Sequence, residues 1–199
     1  MHNSIVDTPR LHLRPLCLED VAPCAAYMNN YEVTKWLTSA PFPYSQEDAR
    51  GFITRTTETS APVWAITNSD GFMGTIGLHE LDTGSIEFGY WIAQEFWGNG
   101  YVSEAALAVV TDFFATSEQD DLYSGYYLGN DKSQAILTKL GFVPHIEPKM
   151  IHSKARNEAA LLQKVRLTRQ ACIGFIFAKI LKGGAPKAWG QRPQTTFPT

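Results

Sequence analysis

The sequence predicts an α+β (mixed α/β) fold, with a mostly antiparallel twisted sheet flanked by helices. Its centre, residues 62–93, contains three segments of strand character, separated by the turn signals SDG and DTG, and such a series is typical of an antiparallel meander. Helical and extended segments on both sides of the meander follow in irregular order, without an internal repeat. This order favours α+β over regular βαβ repetition.

The segments before the meander read as one strand followed by helices. Residues 10–16, RLHLRPL, alternate apolar and polar side chains, as a half-buried strand does. Residues 17–30 have apolar positions near helical spacing, and residues 31–45 read as a short helix and a loop with two prolines. Ser45, with Asp48 three residues later, predicts the capped start of another helix.

The segments after the meander predict a helix to about Phe114, a strand over 121–128, a helix over 130–142 and a closing strand over 160–170. We expect residues 1–170 to form the main domain. Residues 171–199 begin with the apolar stretch ACIGFIFAKIL and continue as a Gly- and Pro-rich tail. The Gly- and Pro-rich composition predicts a peripheral arm rather than a core element, while the apolar stretch would cover either the same chain or a partner.

Composition limits the classes of function. The 199 residues are 44% hydrophobic and 19% charged, which is typical of a soluble globular domain. The formal net charge of −3 argues against a nucleic-acid partner. The odd count of three cysteines gives no disulfide framework. The start of the chain lacks the pattern of a signal peptide, and the apolar stretch is about half the length of a membrane span. We therefore expect a cytoplasmic protein without a membrane partner.

The stretch WGNGYVSEAA, which begins at Trp97, joins a predicted strand to a predicted helix. Free backbone N–H groups and the helix dipole make such a helix start suitable for phosphate. Gly98 and Gly100 would allow close approach of the backbone to a ligand. No lysine follows the glycines as in a Walker motif, and Ser103 stands where the dinucleotide fingerprint needs glycine. On its own, the loop is equally well a plain tight turn.

Three segments in order carry a resemblance to a known family. EFGYWIAQEFWGNGYVSEAA (Glu87–Ala106) is similar to the acetyl-CoA-binding region of the GNAT superfamily of N-acetyltransferases. NDKSQAILTKLGF (Asn130–Phe142) and TPRLHLRPLCLED (Thr8–Asp20) resemble segments of its branch of ribosomal-protein N-terminal acetyltransferases, the RimJ/RimL type. The resemblance covers roughly residues 8–170. It implies the GNAT acyl-CoA fold, with the sheet splayed at the cofactor site.

The resemblance also implies which residues bind acetyl-CoA. The pyrophosphate would contact backbone N–H groups of Trp97, Gly98, Asn99, Gly100, Tyr101 and Val102. The pantetheine arm would bond like an added strand to Trp91, Ile92 and Ala93. Asn130 would touch that arm, cap the following helix, or do both. Val102 replaces a small residue of the family pattern, and Leu137 stands where many members carry a catalytic tyrosine. No metal is implied.

The implied reaction is direct transfer of an acetyl group to an amine, which needs a base, a polarised thioester carbonyl and a proton for the leaving thiolate. Glu87 is the candidate base, with an ordinary strand carboxylate as the equal alternative; His79, Glu80 and a bound water are weaker candidates. The family uses a strand N–H, here at about Trp91 or Ile92, to polarise the carbonyl. Ser133 is the candidate proton donor, or it simply supports a helix start.

The acceptor side is the least defined part of the sequence. Residues 35–45 occupy the segment that shapes the acceptor pocket in the family, and Trp36, Phe42 and Tyr44 line a groove or pack in the core. The amine acceptor would be a peptide N-terminus or a small amine. A regulatory module that binds acyl-CoA with little catalysis is the main alternative function, and a nucleotide-binding protein is a further one. A homodimer is left open.

Overall fold

The computed structural model describes residues 5–58 and 62–181, which form one nine-stranded sheet and six α-helices. The sheet has the order β1-β2-β3-β4-β5-β6-β9-β7, with β8 paired to β9. In chain order the elements are β1 Val6–Asp7, β2 His12–Pro15, α1 Val21–Met28, α2 Tyr31–Thr34, α3 Gln46–Glu58, β3 Val63–Asn68, β4 Gly71–Glu80, β5 Ile86–Ile92, α4 Tyr101–Thr116, β6 Asp121–Tyr127, α5 Asp131–Leu140, β7 Val143–Pro144, β8 Lys149–Ser153, β9 Glu158–Thr168 and α6 Arg169–Leu181.

The predicted fold class is confirmed. Strands β3, β4 and β5 form the antiparallel meander, and each predicted helix and strand is present. The predicted capped helix begins as expected, because the Ser45 hydroxyl accepts from the Asp48 N–H at 3.1 Å and the Asp48 carboxylate accepts from the Ser45 N–H at 2.9 Å. Strands β1, β7 and β8 were not predicted. β1 and β7 have two residues each.

The core lies on both faces of the sheet. Helices α4 and α5 cover one face, on which Phe88 and Ile92 of β5 are buried. Helices α1 and α3 cover the other face, where Trp91 of β5 is buried. Successive side chains of a strand point to opposite faces. Glu87, two and four residues from Gly89 and Trp91, therefore lies on the α1/α3 face.

Among the strands of residues 5–58 and 62–181, β5 and β6 are the one neighbouring parallel pair, and they separate soon after they meet. Their pairing register contains the single pair Glu87–Tyr123. One residue further on, the buried Ser124 hydroxyl donates to the Phe88 carbonyl at 2.9 Å. Beyond that bond, the edge of β5 up to Ile92 has no paired strand among the described residues. The sheet is therefore open at the end of β5.

Helix α4 is fixed at its first turn by the N-terminal segment. The Glu104 carboxylate accepts from the Thr8 hydroxyl at 2.6 Å, the Arg10 backbone N–H at 2.9 Å and the Arg10 Nε at 2.7 Å. An acidic residue in the first turn of a helix is expected to cap that helix or to pair with a nearby residue, and this was the expectation for Glu104. Instead, Glu104 joins elements more than ninety residues apart.

Helix α6 corrects the prediction of a peripheral arm for its first residues. It begins at Arg169, so the predicted boundary at residue 170 falls inside a helix. Cys172 is buried in the core cluster of α4 and α5. The Arg169 guanidinium donates to carbonyls at the end of α4, including that of Ser117 at 2.8 Å. The Gly- and Pro-rich residues 182–199 lie outside the described residues, and their separation as a unit stays a prediction.

Candidate active site

One cavity of about 1540 Å³ runs through the opening between β5 and β6. At one end it reaches the loop of Gly98 and Gly100, and at the other end it reaches the segment 36–55. It is lined by most of the residues that the sequence proposed for the site, namely Trp36, Tyr44, Glu87, Trp91, Ile92, Trp97, Gly98, Gly100, Tyr101, Val102, Asn130 and Ser133. The described fold thus brings the two predicted halves of the site together.

The glycine loop has the backbone of a ligand cradle. Gly98 and Gly100 have φ angles of 79° and 77°, which lie in the left-handed region that favours glycine. No heavy atom comes within 4 Å of a Cβ placed on Gly98, so the space above it is open. Gly100 is the residue before α4, whose first N–H groups have no partner within the helix. The side chain of Asn99 turns back to the Phe96 carbonyl at 3.2 Å.

Trp97 bridges the mouth of the opening. Its indole N–H donates to the Ile92 carbonyl at 3.0 Å, which ties the loop to the end of β5. The Lys132 ammonium on α5 lies 3.9 Å from the centre of the same indole, a cation–π contact. The loop, the strand end and helix α5 therefore meet at one place.

The end of β5 lies close to β4. Trp91 and Ile92 pair with Thr75 and Gly74. A Cβ on Gly74 would lie 2.2 Å from the Trp91 carbonyl oxygen, so this strand register requires glycine there. The Ala93 N–H already donates to the Met73 carbonyl at 2.9 Å, and Ala93 is buried outside the cavity lining. Of the three residues proposed for the pantetheine arm, Trp91 and Ile92 border the cavity.

Glu87 lies at the narrow end of the opening and forms an ion pair with Lys164 of β9. Lys164 reaches it across β6 at Gly125, its register partner, where no side chain intervenes. Glu87 also pairs in register with His79 of β4. Desolvation lowers the pKa of His79, against the opposing effect of the Glu87 charge. The ion pair gives Glu87 the structural partner that the alternative interpretation requires.

Ser133 and Asn130 interact at the start of α5. The Asn130 side chain accepts from the Ser133 N–H at 3.2 Å, so the helix-cap interpretation of Asn130 holds. The Ser133 hydroxyl lies 2.9 Å from the hydroxyl of Tyr90 on β5. Sequence reasoning missed Tyr90. Its alternation with Glu87 and Trp91 placed it on the opposite face of the strand, but this pattern gives no partner on α5.

The acceptor side contains two of the three predicted aromatic residues. Trp36 borders the cavity, and the guanidinium of Arg156 lies 4.7 Å from its ring centre. Tyr44 also borders the cavity and is largely buried, which raises the pKa of its hydroxyl. Phe42 is 40% exposed and packs against Tyr31 at 5.3 Å, outside the cavity lining.

The turn between β8 and β9 holds the acceptor segment. The Ser153 hydroxyl donates to the Leu37 carbonyl at 3.0 Å, and the Arg156 Nε donates to the Lys35 carbonyl at 2.7 Å. The Lys154 N–H donates to the Thr38 carbonyl at 3.1 Å. Sequence reasoning missed this contact, because side chains bonding to a distant backbone leave no periodic signal.

Residues 5–58 and 62–181 contain no group of three or more histidine, cysteine, aspartate or glutamate side chains suited to hold a metal ion. Within the same residues, none of the helices combines the length and the apolar character needed to cross a membrane.

Comparison with known proteins identifies the class. The model of the acetyltransferase (GNAT) domain matches residues 10–143. YdaF of Bacillus subtilis (strain 168), provisionally named a ribosomal N-acetyltransferase, is 31% identical over 129 residues, which are 58% of this chain and 67% of YdaF. The solved structure of Mycobacterium smegmatis RimJ in complex with CoA-disulfide has a TM-score of 0.75 at 16% identity, and covers 92% of this chain and 98% of RimJ.

A second solved structure, RimL, the ribosomal L7/L12 α-N-protein acetyltransferase in complex with coenzyme A, has a TM-score of 0.74 at 16% identity, and covers 84% of this chain and 99% of RimL. The structural likenesses support the fold, and the domain match establishes the family. The chain belongs to the GNAT acetyltransferase family. It is an N-acetyltransferase, and members of this family use acetyl-CoA.

Proposed function

We propose that this chain transfers the acetyl group of acetyl-CoA to the α-amine of a peptide or protein N-terminus. The observation that carries the proposal is the continuous cavity from the glycine loop to the acceptor segment, with Glu87 among the residues that line it. The names of YdaF, a ribosomal N-acetyltransferase, and of RimL, an α-N-protein acetyltransferase, support a protein acceptor over a small amine. We also propose that the protein is cytoplasmic.

The residues present fit acetyl-CoA. The open left-handed backbone at Gly98 and the free start of α4 suit a pyrophosphate. The edge of β5 between Phe88 and Ile92, unpaired among the described residues, suits an extended arm with amide groups, because such an arm can bond like an added strand. When bound, acetyl-CoA supplies the activated acetyl thioester.

Groups of this chain then accept the amine proton, polarise the thioester carbonyl and stabilise the leaving sulfur. Glu87 accepts a proton from the amine, directly or through a water, and its ion pair with Lys164 fixes the position of the carboxylate. A backbone N–H at Trp91 or Ile92 polarises the thioester carbonyl. The Ser133 hydroxyl donates a hydrogen bond to the leaving sulfur, which departs as the thiolate. Trp36 and Tyr44 form walls of the acceptor end.

The test is acetylation of unblocked peptides, of the same peptides with a blocked N-terminus, and of small amines. We expect turnover with unblocked peptides only. Glu87→Gln should lower kcat by about 10²–10⁴-fold, the usual contribution of a general base, without weakening acetyl-CoA binding. Glu158→Gln, an exposed residue of β9 outside the cavity lining, is the matched control.

Three outcomes separate the proposals. Acetylation of small amines alone would contradict the peptide acceptor. Unchanged turnover in Glu87→Gln would leave Glu87 a structural partner of Lys164. Acetyl-CoA binding without turnover on either class of amine would favour the alternative of a regulatory acyl-CoA-binding module.

A further inference from the structure

Tyr90 and Ser133 form a hydroxyl pair across the cavity opening. Tyr90 lies on β5 and Ser133 on α5, and their oxygens are 2.9 Å apart. Both residues line the cavity. Each comes from a different side of the gap that opens beyond Phe88, so the pair spans the place where the proposed pantetheine arm would end.

The pair is held on both sides. The Tyr90 ring packs against Phe88 at 5.5 Å, and Phe88 packs against Phe142 at 6.2 Å. On α5, the Ser133 N–H is fixed by the Asn130 side chain. Leu137, one turn further along α5, is buried and has no hydroxyl. Among the described residues of α5 that line the cavity, Ser133 is therefore the one whose side chain offers a hydroxyl to β5.

We propose that Tyr90 is a positioning residue that donates its hydroxyl proton to Ser133 Oγ, and so directs the Ser133 proton toward the leaving sulfur of CoA. This inference rests on the proposed function. No bond to the protein forms or breaks in this step. Both hydroxyls keep their protons, and the thiolate gains a hydrogen bond from Ser133.

The acceptors available to the Tyr90 hydroxyl support this direction of donation. Burial raises the pKa of Tyr90 to about 12, so the hydroxyl keeps its proton at neutral pH, as donation requires. The other acceptor near the Tyr90 hydroxyl, the Ser133 carbonyl, is 3.5 Å away, at the limit of a hydrogen bond. Donation to Ser133 Oγ is therefore the stronger arrangement, and it leaves the serine proton free for the cavity.

The test measures the pKa of the CoA thiol in the binary complex, from the ultraviolet absorbance of the thiolate against pH. We expect the wild-type protein to lower this pKa, and Tyr90→Phe and Ser133→Ala to raise it again. The charged neighbours on α5 are Asp131 and Lys132, which also line the cavity. Lys132→Gln shows how much of the shift comes from charge rather than from the hydroxyl pair.

Turnover provides the second readout. Tyr90→Phe should lower kcat about tenfold with little change in the KM for acetyl-CoA, and Ser133→Thr should retain more activity than Ser133→Ala. In a Ser133→Ala background, Tyr90→Phe should have no further effect, because Tyr90 acts through Ser133. Tyr123→Phe, which removes a tyrosine hydroxyl on β6 outside the cavity lining, is the control.

The inference is overturned if Tyr90→Phe leaves both the thiol pKa and kcat unchanged, or if its effect multiplies with that of Ser133→Ala. It is also overturned if Ser133→Ala itself has no effect. These results leave acetyl transfer intact. Failure of the protein to bind CoA at all would instead contradict the proposed function together with the inference.

Discussion

Gly98 and Gly84 have nearly the same backbone, with φ angles of 79° and 77° and no heavy atom within 4 Å of a Cβ placed on either residue. They differ in location. Gly98 borders the cavity, while Gly84 lies in the turn between β4 and β5. Substitutions at these two glycines therefore have the same conformational cost, and a difference between them reports the effect of the side chain on a ligand.

Gly98→Ala and Gly84→Ala should each lower the free energy of unfolding by roughly 1–2 kcal/mol, the cost of a left-handed alanine. Gly98→Ala alone should weaken CoA binding, by about tenfold or more, because its methyl group enters the proposed phosphate cradle and one charge-assisted hydrogen bond is lost. Chemical denaturation and calorimetry measure the two effects. Equal CoA affinity in both variants would show that the loop is a plain turn.

At this scale, most of the site residues that the family resemblance implied line the cavity, but their bonding partners were not predicted. The ion pair of Glu87 with Lys164 depends on Gly125 lying between them, and the bond of Tyr90 to Ser133 depends on how β5 faces α5. Such contacts join residues 43 to 77 positions apart. No periodicity in a single segment encodes them.

At the scale of elements, the start of α4 depends on Glu104. Burial of this carboxyl raises its pKa, but the hydrogen bonds from Thr8 and Arg10, together with the Arg10 charge, outweigh that effect and leave the pKa lowered. A carboxyl with a lowered pKa stabilises the fold above its unfolded pKa, about 4.3, and loses this contribution as the pH falls through the folded value.

Glu104→Gln should therefore lower the free energy of unfolding at pH 7 by roughly 1–2 kcal/mol, after allowance for the half-exposed Arg10. The difference between the variant and the wild type should shrink as the pH falls below about 4. Denaturation curves at several pH values test this. Glu118→Gln, an exposed control, should change little. A difference that is constant with pH would contradict the assignment of the effect to the carboxylate charge.

Elements whose own residues carry a signal were predictable, and very short or mostly exposed ones were not. The meander has apolar runs bounded by turn signals, and α3 has a capping serine. β1 and β7 contain two residues each, too few for a pattern, and they exist because longer strands supply their partners. β8 was missed because its side chains are mostly exposed, so it lacks an apolar stripe.

At the scale of the whole molecule, the first residues of α6 pack on the core, because Cys172 is buried there. The sequence predicted an arm from the Gly- and Pro-rich tail, and it left open which surface the apolar stretch covers, on the same chain or on a partner. The surface is the end of α4, to which the Arg169 side chain bonds and against which Cys172 is buried. Burial also raises the pKa of the Cys172 thiol to about 11, so it stays neutral.

Cys172→Ser should lower the free energy of unfolding by about 1–3 kcal/mol, because a hydroxyl would be buried in an apolar cluster. Ile173→Ser, at the next position and 46% exposed, should change stability by roughly 0.5 kcal/mol or less. Thermal and chemical denaturation measure both. Equal, small effects would support the prediction that residues from 171 onward form a separate peripheral unit.

Calorimetric titration of the full chain measures whether the opening between β5 and β6 binds acetyl-CoA. We expect saturable binding of CoA and acetyl-CoA at one site, with a dissociation constant on the order of 1 μM–1 mM, the range of metabolite sites. ATP should not displace them. The absence of binding heat with both CoA and acetyl-CoA, or displacement by ATP, would contradict an acetyl-CoA site in this opening.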